Sequence, residues 1–144
     1  DCRFLKDVDA LRSALEYAPD DADLLLLDSF GAARSQEEFM NERRNAIHGW
    51  AKVSAARSAA AYIVGERYIN RLISLGDRCT RGKKARIFDQ WVENRWLGCA
   101  NIYCAVPNLA VQAVDSTNAH RPSAVSNHNK YREMGIDMER YAAW

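Results

Sequence analysis

The chain has 144 residues, with twenty Lys and Arg against nineteen Asp and Glu, a formal charge of +1. Nearly half of it is hydrophobic, and glycine and proline together number only ten. That is the make-up of one ordinary folded domain. It excludes a disordered tail, a collagen-like chain and a low-complexity linker. No run approaches the roughly 20 apolar residues a spanning helix needs. The longest dense stretch, Leu24-Leu25-Leu26-Leu27, is bracketed by Asp23 and Asp28.

The neutral total conceals an uneven spread. Residues 1–42 hold eleven acids and four bases, whereas residues 43–95 hold twelve bases and four acids. If the fold keeps the two sets apart, one face attracts anions and the other end repels them.

Taken in chain order, the pattern reads as helical almost throughout. Phe4, Leu5, Val8, Leu11, Ala14 and Leu15 recur at three- and four-residue spacing, which predicts an amphipathic helix over 4–17 stopped by Pro19. Asp20-Asp21-Ala22-Asp23 supplies cap oxygens for a second helix through the leucines, with a kink near Gly31 and a continuation through Gln36-Glu37-Glu38-Phe39 toward Ile47 and His48. A third helix is expected over Ser54 to Leu75, stopped by Gly76. A fourth is expected over Lys83 to Val106, with Ile87, Phe88, Trp91, Val92, Trp96, Leu97, Ala100 and Tyr103 as its apolar stripe. Pro107 ends it or opens a short fifth helix to Val114. Residues 115–130 are Ser- and Asn-rich and read as a loop, and Gly135 interrupts the stretch from Tyr131 to Trp144. The expected fold is an all-α, single-domain bundle of about five helices over 1–144.

Chemistry-bearing motifs are scarce. His48, His120 and His128 fall in no zinc-protease or Cys-x-x-Cys context, and no phosphate-binding glycine loop or nucleophile elbow is present. No catalytic, metal or cofactor site is expected, and no enzyme. The four cysteines, Cys2, Cys79, Cys99 and Cys104, read as two disulfides of a secreted protein, and the chain opens Asp1-Cys2 like a processed mature start. Cys99 and Cys104 fall on different faces of a continuous helix, so each is expected to bond with Cys2 or Cys79.

What remains is surface. Arg57, Arg67, Arg71, Arg78, Arg81, Lys83, Lys84 and Arg86 concentrate in one third of the chain, five of them within residues 78–86. Such a cluster suits anionic headgroups, acidic glycans or nucleic acid. Trp91 and Trp96 follow directly. They are five residues apart and cannot both point into one core, so one of them is a candidate for exposure beside the arginines, as in an interfacial anchor.

Two stretches resemble a known family. His48-Gly49-Trp50-Ala51-Lys52-Val53-Ser54 precedes Ala60-Ala61-Tyr62-Ile63-Val64-Gly65-Glu66-Arg67-Tyr68-Ile69, and Arg121-Pro122-Ser123-Ala124-Val125 precedes Lys130-Tyr131. Their order and spacing resemble the abalone sperm lysin family over roughly residues 22–135. The resemblance implies a helical bundle, secretion into the acrosomal vesicle and release onto the acrosomal process. It implies non-enzymatic action on the egg. The balanced charge, four cysteines and four tryptophans are similar to the fusagenic branch of that family. That branch implies binding and perturbation of sperm and egg membrane lipids through basic and hydrophobic clusters, promoting fusion. The other branch implies binding of an egg-coat glycoprotein and dissolution of the vitelline envelope without cleavage. The expected state is a monomer or weak homodimer, with no nucleic acid partner.

Overall fold

The computed structural model describes residues 2–31, 36–54, 56–57, 61–70, 73–74, 100–112 and 129–137. These residues form strands β1 (Cys2–Phe4), β2 (Leu24–Leu26), β3 (Trp50–Lys52), β4 (Tyr62–Val64), β5 (Ile102–Ala105) and β6 (Ala110–Gln112), with helices α1 (Val8–Glu16) and α2 (Gln36–Arg44). Short helical stretches also cover 66–70 and 129–133. The fold is mixed α/β, and the expected all-α bundle is overturned. Four strands make one sheet in the order β3-β5-β2-β4, and β1 pairs with β6 in a separate two-stranded ribbon.

The centre of the sheet is the parallel pair β2 and β5, in register Leu24 with Ile102, Leu25 with Tyr103 and Leu26 with Cys104. β4 lies antiparallel to β2 on one side and β3 antiparallel to β5 on the other. The leucine run explains the arrangement. Alternate residues of a strand point to opposite faces, so an uninterrupted apolar run belongs in a strand covered on both sides. Leu24 and Leu26 pack with Phe39, Val53, Ile102 and Cys104, and Met40 joins them, so α2 covers that face. Leu25 and Leu27 pack with Trp50, Ala105 and Leu109, joined by Leu11, Ala14 and Leu15 of α1 on the other face. The indole N–H of Trp50 donates to the carbonyl of Ala14 at 2.9 Å and fixes α1 to the sheet. A third cluster, Phe30, Val111 and Tyr131 with Leu5, Met134 and Ile136, links the β1–β6 ribbon to the stretch at 129–137.

The expected helices resolve differently. The first is shorter than 4–17, because Asp7 caps it by accepting from the Ala10 amide at 2.8 Å, and Cys2–Phe4 leave to pair with β6. The second is broken in two: the leucines become β2, and helix returns only at Gln36–Arg44. Tyr62–Val64 and Ile102–Ala105, placed in the third and fourth helices, are strands. Where a fifth helix was expected, Ala110–Gln112 form β6.

Two glycines are dictated by geometry. His48 (φ 50°) and Gly49 (φ 83°) are both left-handed, and Ile47 and Trp50 exchange backbone hydrogen bonds at 2.9 and 3.0 Å across them. This is a two-residue hairpin turn of the kind that demands positive φ at both central positions. At Gly65, a Cβ would stand 2.6 Å from the Ala22 carbonyl oxygen, so any side chain there would push β4 off β2.

Candidate functional site at the carboxyl ends of the central strands

In doubly wound parallel sheets ligands bind beyond the carboxyl ends of the strands, where the strand order reverses; the single parallel pair β2 and β5 offers one such end here. In this molecule β2 runs out into Asp28 and Ser29, and β5 runs out into Asn108. All three are buried, with Asp28 and Ser29 fully so. Arg43, in the last turn of α2, reaches the same place and is only 8% exposed.

The contacts form one connected set. Nη1 of Arg43 donates to the Ala105 carbonyl and to Asn108 Oδ1, both at 3.0 Å. Ser29 Oγ at 3.5 Å and Cys104 Sγ at 3.6 Å stand next to the same nitrogen. A single Nη1 carries two hydrogens, so the two short contacts are the strong bonds and the longer two complete the lining. The Asn108 amide then passes the connection on: its Nδ2 donates to Asp28 Oδ1 at 3.2 Å and to the Ser29 carbonyl at 3.0 Å. Tyr131 completes the chain. Its hydroxyl lies 2.8 Å from both Asp28 oxygens and accepts the Gln112 amide at 3.1 Å. The neighbouring Lys130 ammonium reaches the Gly31 carbonyl at 3.4 Å and sits over the Phe30 ring at 4.9 Å.

The electrostatics of this set are unusual. Burial of a charge is costly unless an opposite charge or hydrogen bonds compensate it. Arg43 and Asp28 are opposite charges within one network, yet no described carboxylate lies within ion-pair distance of Arg43. Neutral acceptors hold the guanidinium, and Asn108 stands between it and the carboxylate. All four hydrogen-bond contacts of Arg43 come from Nη1, so among the described residues the Nε–Nη2 edge makes no hydrogen bond; the guanidinium also lies over the Phe39 ring, 5.5 Å from its centroid. That edge is the planar fork that engages carboxylate and phosphate in two parallel bonds. Burial pushes the Cys104 thiol above its ordinary range, partly offset by Arg43. Burial first, and then the Asp28 charge, pushes Cys2 up as well.

A second polar cluster lies at the amino ends of the same strands. Arg67 Nε meets Asp23 Oδ1 at 2.6 Å, and Arg67 also donates to the Asp21 carbonyl. The Asn101 amide donates to Asp23 Oδ2 at 2.8 Å, Tyr103 to Asp21 Oδ1 at 2.9 Å, and Lys52 to Asn101 Oδ1 at 2.7 Å. Burial, followed by the Asp21 carboxylate, raises the Tyr103 phenol. Each charge in this cluster finds a direct partner, and the cluster ties β2, β5, β3 and the 66–70 stretch together.

Of the basic residues expected to form one patch, two are described, and they stand apart. Arg57 pairs its backbone with Phe30 at 2.7 and 2.9 Å, beyond the carboxyl end of β2. Arg67 is at the amino end. Their anchors, Asp23 and Phe30, stand at opposite ends of β2. Arg71, Arg78, Arg81, Lys83, Lys84, Arg86, Trp91 and Trp96 lie outside the described residues, as do Cys79 and Cys99. Of the four disulfide candidates, Cys2 and Cys104 are described and carry no disulfide to each other: Cys104 is packed in the sheet centre against Arg43, and Cys2 sits on the ribbon.

Asp28, Ser29, Arg43, Asn108 and Tyr131 were not singled out from the sequence. The available signal was Asp28-Ser29 directly after an apolar run, which marks the carboxyl end of a buried strand once the run is read as one. Among the described residues, no three potential metal ligands come together and no helix is long and apolar enough to cross a membrane. Compared with known protein families, curated proteins and solved structures, the chain matches none. The helical bundle that the lysin resemblance implied is not the fold.

Proposed function

We propose that this chain is an α/β binding domain that takes a small anion, phosphate- or carboxylate-bearing, at the carboxyl ends of β2 and β5, with Arg43 as its anchor. One observation carries the reading: Arg43 is buried at the position where such sheets bind ligands, and the Nε–Nη2 edge of its guanidinium is unengaged by the described residues. A cation that is already held in place has little ordering left to pay when an anion arrives. The reading keeps the anionic partner expected from the basic residues and moves it to a residue outside that cluster. The membrane role expected from the basic run 78–86 and from Trp91 and Trp96 concerns residues outside the described ones.

Calorimetric titration of the purified chain at low salt with inorganic phosphate and with sulfate tests this. Saturable one-to-one binding is expected, together with a ligand-dependent rise in melting temperature. Arg43→Lys keeps the charge and removes the fork. Loss of a charge-assisted bond worth about 1.5–3 kcal/mol should weaken binding roughly 10- to 150-fold. An unliganded wild type at tens of millimolar anion, or a lysine variant that binds as well as the parent, ends the proposal.

A further inference from the structure

The unusual feature of the carboxyl-end network is that its two charges, which attract each other, are kept from touching. Asn108 makes the separation: one end of its amide accepts from Arg43 at 3.0 Å and the other donates to Asp28 at 3.2 Å. The described contacts of the carboxylate include the Asn108 amide and the Tyr131 hydroxyl, the latter at 2.8 Å, and do not include Arg43. Asn108 is itself buried and anchored by a further bond to the Ser29 carbonyl at 3.0 Å, so the amide has no freedom to step aside.

Resting on the binding role proposed for Arg43, we infer that Asn108 is the positioning residue of that site and that Asp28 is its built-in competitor. A guanidinium paired directly with Asp28 would present its fork to an internal carboxylate, and an incoming anion would have to displace it. With the amide interposed, Asp28 still stabilises the buried cation through space, but it leaves the fork for a ligand. Asp28 therefore has two opposed effects. It supports the folded state by offsetting the Arg43 charge, and it weakens anion binding by repelling the ligand. Asn108 sets the balance between them.

The test is sulfate affinity, measured by titration well below the melting temperature of each variant, alongside the unliganded melting temperature. Asp28→Asn keeps the shape and the acceptor for Tyr131 while removing the charge. It should melt lower than the parent and bind sulfate at least threefold tighter. Asn108→Ser removes both amide bonds and should bind at least tenfold more weakly. The double variant should recover most of that loss, because the released guanidinium then has no carboxylate to collapse onto. A single Asp28→Asn variant that binds sulfate no better than the parent overturns the inference, and so does an Asn108→Ser variant with parental affinity. Asp28→Asn is decisive even if the serine variants fail to fold. If the wild type itself binds no sulfate, the reading of Arg43 as an anion anchor falls instead, and the two failures are told apart by that control.

Discussion

The two ends of the β2–β5 pair treat charge in opposite ways. At the amino end, Arg67 meets Asp23 directly at 2.6 Å, with the arginine side chain 58% exposed and the aspartate 10%. At the carboxyl end, Arg43 and Asp28 are both buried, and a neutral amide holds them apart. A direct pair with one partner in solvent is partly screened by water on that side. A buried pair held apart gives up Coulomb energy that closer contact would supply. The described network satisfies both charges with neutral groups instead, which keeps one of them available. The first arrangement is a clamp on the sheet, and the second leaves one guanidinium edge open, as the proposed anion site requires.

The comparison breaks most visibly at Arg43. Arg43→Met leaves Asn108 Oδ1 and the Ala105 carbonyl without their described donor. A loss of about 2–4 kcal/mol is expected, read from urea denaturation midpoints at an unchanged slope. Tyr131→Phe is next. It strips the hydroxyl from between Asp28 and the Gln112 amide and should cost about 1–3 kcal/mol in the same experiment. The smallest effect belongs to the amino end. Asp23→Asn retains an acceptor for the Asn101 amide and removes only the ion pair, so at most about 1 kcal/mol is expected. That difference should shrink further in molar salt, whereas the Arg43 loss should persist. Equal costs at the two ends, or a salt-sensitive Arg43 effect, would erase the distinction.

How far these features were legible depends on the length of chain that carries them. Helices α1 and α2 lie inside stretches read as helical, because nine residues are enough to show a 3.6-residue period. The strands are three or four residues long. A segment that short does not complete one helical turn, so an apolar triplet such as Tyr62-Ile63-Val64 fits a helix stripe as well as a strand. Leu24-Leu25-Leu26-Leu27 had the same defect, and the aspartates before it looked like a helix cap. In the structure, Asp23 instead binds Arg67 and the Asn101 amide. His48-Gly49, which had suggested family membership, is a hairpin turn that any chain folding back in two residues would favour.

The site was less legible still, and for a different reason. Arg43 and Asn108 are 65 residues apart, and Asp28 and Tyr131 are 103. No local pattern announces such a meeting. What the sequence by itself determined is local: the Asp7 cap, the left-handed turn at His48-Gly49, the helical faces of α1 and α2, and a leucine run that had to be buried on every side. The tertiary structure decided the rest. It turned that run into a central strand by giving it a parallel partner, and it brought three distant polar side chains, those of Arg43, Asn108 and Tyr131, to the end of that strand. Strand pairing and burial depend on what packs opposite a residue, and that partner is supplied by the folded chain, not by the residue's neighbours in sequence.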